Sequence, residues 1–192
     1  MRIIGIDPGL TRCGIGVVTA GTGRSVTFEH VEVLRSPAGA DLSARILQVG
    51  KGLQRILDGE DIGAIALERV FAQQNLPSVM GVAQISGVAL FLAAQRGIPV
   101  TLYTPNEVKS QVTGYGAADK AQVAQMVARL LRLDAPPQPA DASDALALAV
   151  THAWNLNRGR SSVPARQAGT ETPAQRAWRE AEARAGQRRS SR

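Results

Sequence analysis

Four carboxylates stand where ordinary structural needs do not jointly account for them. "RIIGID" is a short apolar run that ends on Asp7, and the turn Pro8-Gly9 follows at once. "ALERV" places Glu68 inside a second apolar run. Asp141 and Asp144 lie three residues apart in "ADASDALALAV", so on a helix both project from one face. Taken singly, most have a bland explanation. An Asp before Pro-Gly is ordinary turn chemistry. Asp141 suits an N-cap, and Asp144 a first turn, where negative charge complements the helix dipole. Glu68 has no capping role. If the four converge, each like-charged pair at 4 Å costs about 4 kcal/mol at an effective dielectric near 20. Such a cluster ionises at neutral pH only with cations present. Ligands that are all oxygen select hard ions such as Mg²⁺ or Mn²⁺, and no Cys/His spacing points to zinc. Two such ions about 3.5–4 Å apart would activate water and stabilise the leaving oxygen in phosphodiester hydrolysis.

Convergence requires particular neighbours. "RIIGID", "RCGIGVVTA" and "SVTFEHVEVLR" read as three β-branched strands separated by glycine-containing turns. Leu42, Ile46, Val49, Leu53 and Ile56 recur at steps of four and three, which predicts an amphipathic helix with Asp41 as N-cap. "GAIALERV" is a fourth strand. An apolar helix follows, with Pro77 in its first turn and Gly97 past its end. "PVTLYT" is a fifth strand, succeeded by helices near 106–113 and 117–133. "APPQPA" then breaks the chain before a last helix from about Asp141 to Asn157. The order βββαβα β with trailing helices implies an α/β fold, an antiparallel meander with added parallel strands. Pairing of the first strand with the fourth, with the last helix packed across them, would gather the four acids.

Charge divides the chain in two. Residues 1–157 hold 13 Lys+Arg and 13 Asp+Glu, whereas residues 158–192 hold nine arginines and three glutamates, which supplies the whole net charge of +6. The sequence therefore predicts a neutral folded domain over 1–157 and a basic, disordered tail over 158–192, with a polyanion as the expected partner. One cysteine, Cys13, excludes an internal disulfide and suits a reducing, cytoplasmic setting. No uninterrupted apolar run reaches membrane-spanning length, so a membrane partner is not expected.

"GIDPGLTRCGIGV", "ALERVFAQQN", "GYGAADKAQV" and "ADASDALALAVTHA" resemble the corresponding segments of the RuvC family of Holliday-junction resolvases, from residue 1 to about 157. The resemblance implies a ribonuclease-H-like fold with a mixed five-stranded sheet flanked by helices. It implies a homodimer that cuts four-way DNA junctions in recombination and repair. It places the catalytic, metal-holding tetrad on Asp7, Glu68, Asp141 and Asp144, with Mg²⁺ as cofactor, two ions per site, and Mn²⁺ as a substitute. RuvA and RuvB branch-migration proteins are the partners it implies, and thymine-rich sequences the favoured cut sites.

Three further residues follow from the same resemblance. Phe71, in "ERVFAQQN", is either a core aromatic or a platform that stacks on an unpaired base at the junction centre, a contact worth about 1–3 kcal/mol. Lys109 and Lys120 match basic DNA-binding positions near the site; the alternative is a solvated helix lysine. Lys120 is the better placed to stabilise charge at the scissile phosphate. Tyr115, in the glycine-rich link "TGYGAAD", is a further candidate for touching DNA. The helix near 77–96 is apolar all round and rich in small residues, which suits either a buried central helix or the dimer contact. His152 lies eight residues past Asp144, about 12 Å along a helix, too far for the same metal shell. Cys13, His30 and His152 read as structural or surface residues. Two rival functions remain on sequence grounds: a sugar-kinase or actin-like ATPase, which also begins with a strand, an Asp and a glycine turn but needs a longer two-lobed chain, and a junction-binding module without catalysis, which has no use for four acids.

Overall fold

The computed structural model describes residues 1–69 and 76–160, and residues Met1–Arg160 form one compact unit. Five strands make a single sheet: β1 (Arg2–Asp7), β2 (Arg12–Ala20), β3 (Val26–Arg35), β4 (Ile62–Glu68) and β5 (Val100–Tyr103), in the order β3-β2-β1-β4-β5. β1 pairs antiparallel with β2, and β2 with β3; β4 runs parallel to β1, and β5 parallel to β4. The mixed five-stranded sheet expected from the sequence is the one observed. Five helices accompany it: α1 (Leu42–Gly59), α2 (Leu76–Gln95), α3 (Pro105–Thr113), α4 (Lys120–Leu131) and α5 (Ala140–Arg160). Residues 161–192, most of the expected basic tail, lie outside the described residues, as does Phe71.

Strand alternation divides the core into two layers. Ile4 and Ile6 of β1, Cys13, Ile15 and Val17 of β2, and Ile65 and Leu67 of β4 pack with α1 and α2. On the other face Ile3, Val18, Ala64 and Ala66 pack with α3, α4 and α5. The parity that sends Ile4 and Ile6 towards α1 and α2 sends Gly5 and Asp7 towards α5. It likewise turns Ala64, Ala66 and Glu68 of β4, and Gly14, Gly16 and Val18 of β2, to the α5 face.

That face is built of small residues where α5 crosses it. A Cβ on Gly5 would come within 2.0 Å of the Ala145 carbonyl oxygen, one on Gly14 within 2.0 Å of the Asp141 carbonyl oxygen, and one on Gly16 within 2.7 Å of the Leu146 nitrogen. The three glycines admit the helix backbone directly onto the sheet. Residues 145–150 of α5 are buried in succession, so this helix is core on all sides. A strand glycine loses side-chain packing; here it is exchanged for a short sheet-to-helix distance that carries Asp141 and Asp144 towards Asp7.

The helix starts differ from expectation in instructive ways. Asp41 precedes α1, but its side chain makes no capping hydrogen bond. α3 opens on a capping box of Thr104 with Glu107, and α4 on one of Asp119 with Gln122. α4 therefore begins at Lys120, not at 117, and the cap fixes where that lysine enters the helix. Asp141 lies inside the first turn of α5, not before it.

Candidate active site

β1 and β4 are parallel, so their carboxyl ends coincide. Gly5 lies beside Ala66 and Ile6 beside Leu67; one step further the ladder brings Asp7 beside Glu68, both on the α5 face. The two carboxyls are close enough to perturb each other's ionisation. Burial, then the charge of Glu68, pushes Asp7 up to about 8, with Asp144 and Asp141 adding to the rise. Glu68 is also raised, chiefly by burial. Burial and mutual repulsion thus bias both carboxyls towards their neutral forms, Asp7 the more strongly.

Above this pair, the first two turns of α5 present the other two acids, each beside a cation. Lys120 Nζ donates to Asp144 Oδ2 at 2.8 Å. That bond, ahead of the opposing effect of burial, raises the Lys120 ammonium. Arg12 Nε stands 2.8 Å from Asp141 Oδ2. The contact lacks the alignment of a hydrogen bond, and Asp141 Oδ2 is a buried oxygen without a hydrogen-bond partner among the described residues. Proximity gives the charge attraction, whereas the orphaned oxygen retains a lone pair for another cation.

The structure therefore brings together Asp7, Glu68, Asp141, Asp144 and Lys120. Lys109 joins Lys120, Glu68 and Asp144 around a recess of 170 Å³ floored by Val108, Val123 and Leu148. A second, more open hollow of 610 Å³ lies on the other flank, where Asp7 and Asp141 meet Pro8–Arg12 and Arg45. Tyr115 is 63% exposed and lies on neither flank. His152 is buried, bonded at 2.8 Å to the Tyr103 hydroxyl, which also accepts from Asn155 Nδ2 at 3.3 Å. Burial lowers His152, so the tyrosine O–H donates to Nδ1 of a neutral ring. His30 pairs with Glu32 at 3.3 Å on β3. Cys13 is fully buried, and burial pushes its thiol up to about 12, as an inert core residue.

Oxygen ligands at the carboxyl end of a parallel strand pair, one of them buried and unpartnered, fit a hard divalent cation. Among the described residues no three acidic, His or Cys side chains are already arranged as a cage. Arg12 stands against Asp141 and Lys120 against Asp144. Sequence reasoning missed Arg12 and the brace behind it. Arg45 donates to Thr11 Oγ1 at 2.8 Å and to Ser36 Oγ at 3.1 Å, and Ser36 Oγ donates to the Leu10 carbonyl at 2.5 Å. These bonds pin the loop that follows Asp7. The signal for Arg12 was strand parity, since it shares the face of Gly14 and Gly16.

Fold and carboxylates together define a ribonuclease-H-like protein with an acidic site at the head of its sheet. Residues 3–152 match the family described as crossover junction endodeoxyribonuclease RuvC. The RuvC of Leifsonia xyli is 54% identical over 191 residues, covering 95% of this chain and 92% of the relative. That of Streptomyces avermitilis is 58% identical over 154 residues, covering 80% and 88%. The solved structure of T. thermophilus RuvC in complex with Holliday junction substrate superposes with a TM-score of 0.78 at 33% identity, over 83% of this chain and 96% of that one. The chain belongs to the RuvC family.

Proposed function

We propose that this chain resolves four-way DNA junctions by divalent-metal-dependent phosphodiester hydrolysis, as a homodimer making paired nicks. The single observation that carries the reading is the convergence of Asp7 and Glu68, at the ends of two parallel paired strands, with Asp141 and Asp144 of α5, in a chain of this family. The four carboxylates would hold Mg²⁺, two ions per site, with Mn²⁺ able to take their place. When bound, the ions supply an activated water and neutralise charge at the leaving oxygen. The chain's own groups do the rest. Asp7 and Glu68 would serve as ligands in their ionised forms. Lys120, at the mouth of the site and 73% exposed, turns its ammonium to the scissile phosphate as negative charge builds there. Lys109 contacts the strand across the same recess.

Phe71 is proposed to stack on an unpaired base at the junction centre. If it were instead core, its truncation to Ala would cost about 3–5 kcal/mol of stability; the proposal expects a loss of resolution with little change in melting. The dimer is proposed to form through α2, RuvA and RuvB are the proposed partners, and the reducing cytoplasm is the proposed location. Among the described residues no helix is long and apolar enough to cross a membrane.

The decisive experiment measures junction cleavage and junction binding in Mg²⁺ for D7N, E68Q, D141N and D144N. Each is expected to abolish cleavage and leave binding intact, because charge is lost while shape is kept. Cleavage retained in any of them, or duplex cut as readily as junction, overturns the assignment. Binding with no cleavage by the unmodified chain would make it a junction-binding module.

A further inference from the structure

Arg12 and Lys120 hold equivalent stations on the two acids of α5, yet they are held differently. Lys120 makes an aligned hydrogen bond to Asp144. Arg12 lies as close to Asp141, at 2.8 Å, without alignment, and its side chain is 53% exposed against 21% for Asp141. Among the described residues no other group satisfies Asp141 Oδ2. A guanidinium placed this way neutralises the carboxylate but does not saturate it, and little holds it there. Beside it opens the 610 Å³ hollow, lined also by Arg45 and by Pro8, Gly9 and Leu10. Arg45 spends Nε and one terminal nitrogen on Ser36 and Thr11, so it is fixed in the wall of the hollow as a second positive charge.

We propose that Arg12 is the counter-ion a divalent cation displaces from Asp141, and that the displaced guanidinium, with Arg45, then binds a DNA phosphate in this hollow. The inference rests on the reading of Asp141 as a metal ligand. Both steps follow from charge. A divalent ion and a guanidinium compete for one buried oxygen, and the ion wins because it engages several carboxylates at once. Once released, Arg12 faces a hollow already made positive by Arg45, and only an anion gives it a partner there. A planar guanidinium suits a phosphate through two parallel N–H bonds. Metal occupancy and DNA backbone binding thereby become linked through one side chain.

The test uses the full chain with R12Q, R12K and D141N. First, Mn²⁺ alone is titrated into each protein by calorimetry without DNA. R12Q should bind Mn²⁺ about two- to fivefold more tightly than the unmodified chain, the worth of a half-exposed ion pair, and R12K should stay close to it. Second, binding of a four-way junction is measured across a salt series in Ca²⁺ and in EDTA. In Ca²⁺ the log–log salt slope of R12Q should be smaller by about 0.9, one phosphate contact; in EDTA it should be unchanged. Unchanged or weaker Mn²⁺ binding by R12Q, or an equal slope in Ca²⁺, overturns the proposal. D141N separates the two ideas: weakened Mn²⁺ binding there with no gain in R12Q sinks the competition alone, whereas full Mn²⁺ binding by D141N sinks the metal-ligand reading beneath it.

Discussion

Gly14 and Asp141 touch through the backbone: the carbonyl oxygen of Asp141 sits where a Gly14 Cβ would be, at 2.0 Å. Gly14 is also the antiparallel partner of Asp7. One glycine therefore sets the distance between the acid that ends β1 and the turn that carries Asp141 and Asp144. The Gly14→Ala substitution should push that turn off the sheet. Overpacking of this kind costs about 1–3 kcal/mol, and a displacement of about 1 Å among reacting groups costs about a hundredfold in rate. The expected outcome is a modest fall in melting temperature, junction binding within a few-fold of normal, and cleavage down by about two orders of magnitude. Normal cleavage would show that the acids do not depend on this contact.

The raised Asp7 carboxyl gives the metal-free protein a distinctive pH response. Asp7 is raised from 3.8 to about 8. Between those values the folded state binds a proton that the unfolded chain has released, so stability falls as pH rises. The loss is complete only above the folded value. In EDTA, denaturant unfolding should therefore give lower stability at pH 8.5 than at pH 7, a window above the lowered His152. D7N should remove most of this slope, because an amide has no proton to lose; the remainder belongs to Cys13, whose buried thiol also keeps a proton that the unfolded chain begins to lose in this window. Mg²⁺ should oppose the fall by favouring ionised Asp7. An undiminished slope in D7N would assign the effect elsewhere.

The acids were legible in the sequence because strands and helices impose periodicity. A carboxylate at a strand end and two others three apart on a helix can be read without coordinates. The sheet order followed from short turns between the first three strands and helical crossovers thereafter. What was hidden depends on contacts between distant segments. Gly5, Gly14 and Gly16 look like weak strand positions until α5 lies over them. Arg12 looks like a strand-edge charge until Asp141 arrives beside it. The capping boxes at Thr104–Glu107 and Asp119–Gln122 were visible as motifs, and they would have placed the start of α4 at Lys120.

Lys120 offers a test that separates chemistry from binding. Its ammonium is bonded to Asp144 and is largely exposed. Lys120→Ala should reduce the single-turnover cleavage rate by about 10²–10³, the usual loss on removing one charge-stabilising donor. Junction affinity should change little, and the unfolding free energy should hold within about 1 kcal/mol, since a surface ion pair contributes about 0–1 kcal/mol. Lys120→Arg keeps the charge and should recover part of the rate. A structural lysine would show the reverse, with stability lost and cleavage of the folded protein intact.

The proposed dimer can be tested where the single chain is indifferent to the change. α2 carries no charged residue over Leu76–Gln95. Met80 (57% exposed), Leu90 (42%) and Phe91 (61%) lie on its outer surface, with Ala83, Gly87 and Ala94 exposed between them. The spacing 80, 83, 87, 90, 94 is the three-and-four step of a helix seam, and an apolar stripe of this length marks an interaction face. A Cβ on Gly87 would meet nothing within 4 Å, so a Gly87→Leu side chain has room in one chain and can clash only with a partner. Helix propensity favours leucine over glycine by roughly 0.8 kcal/mol, which makes an unfolded variant an improbable source of any defect. Sedimentation velocity should show the unmodified chain as a dimer and Gly87→Leu as a monomer. The monomer should still melt cooperatively, and on a cruciform plasmid it should leave single nicks in place of paired ones. An unchanged dimer would move the interface off α2, and paired nicks from a proven monomer would remove the need for a dimer altogether.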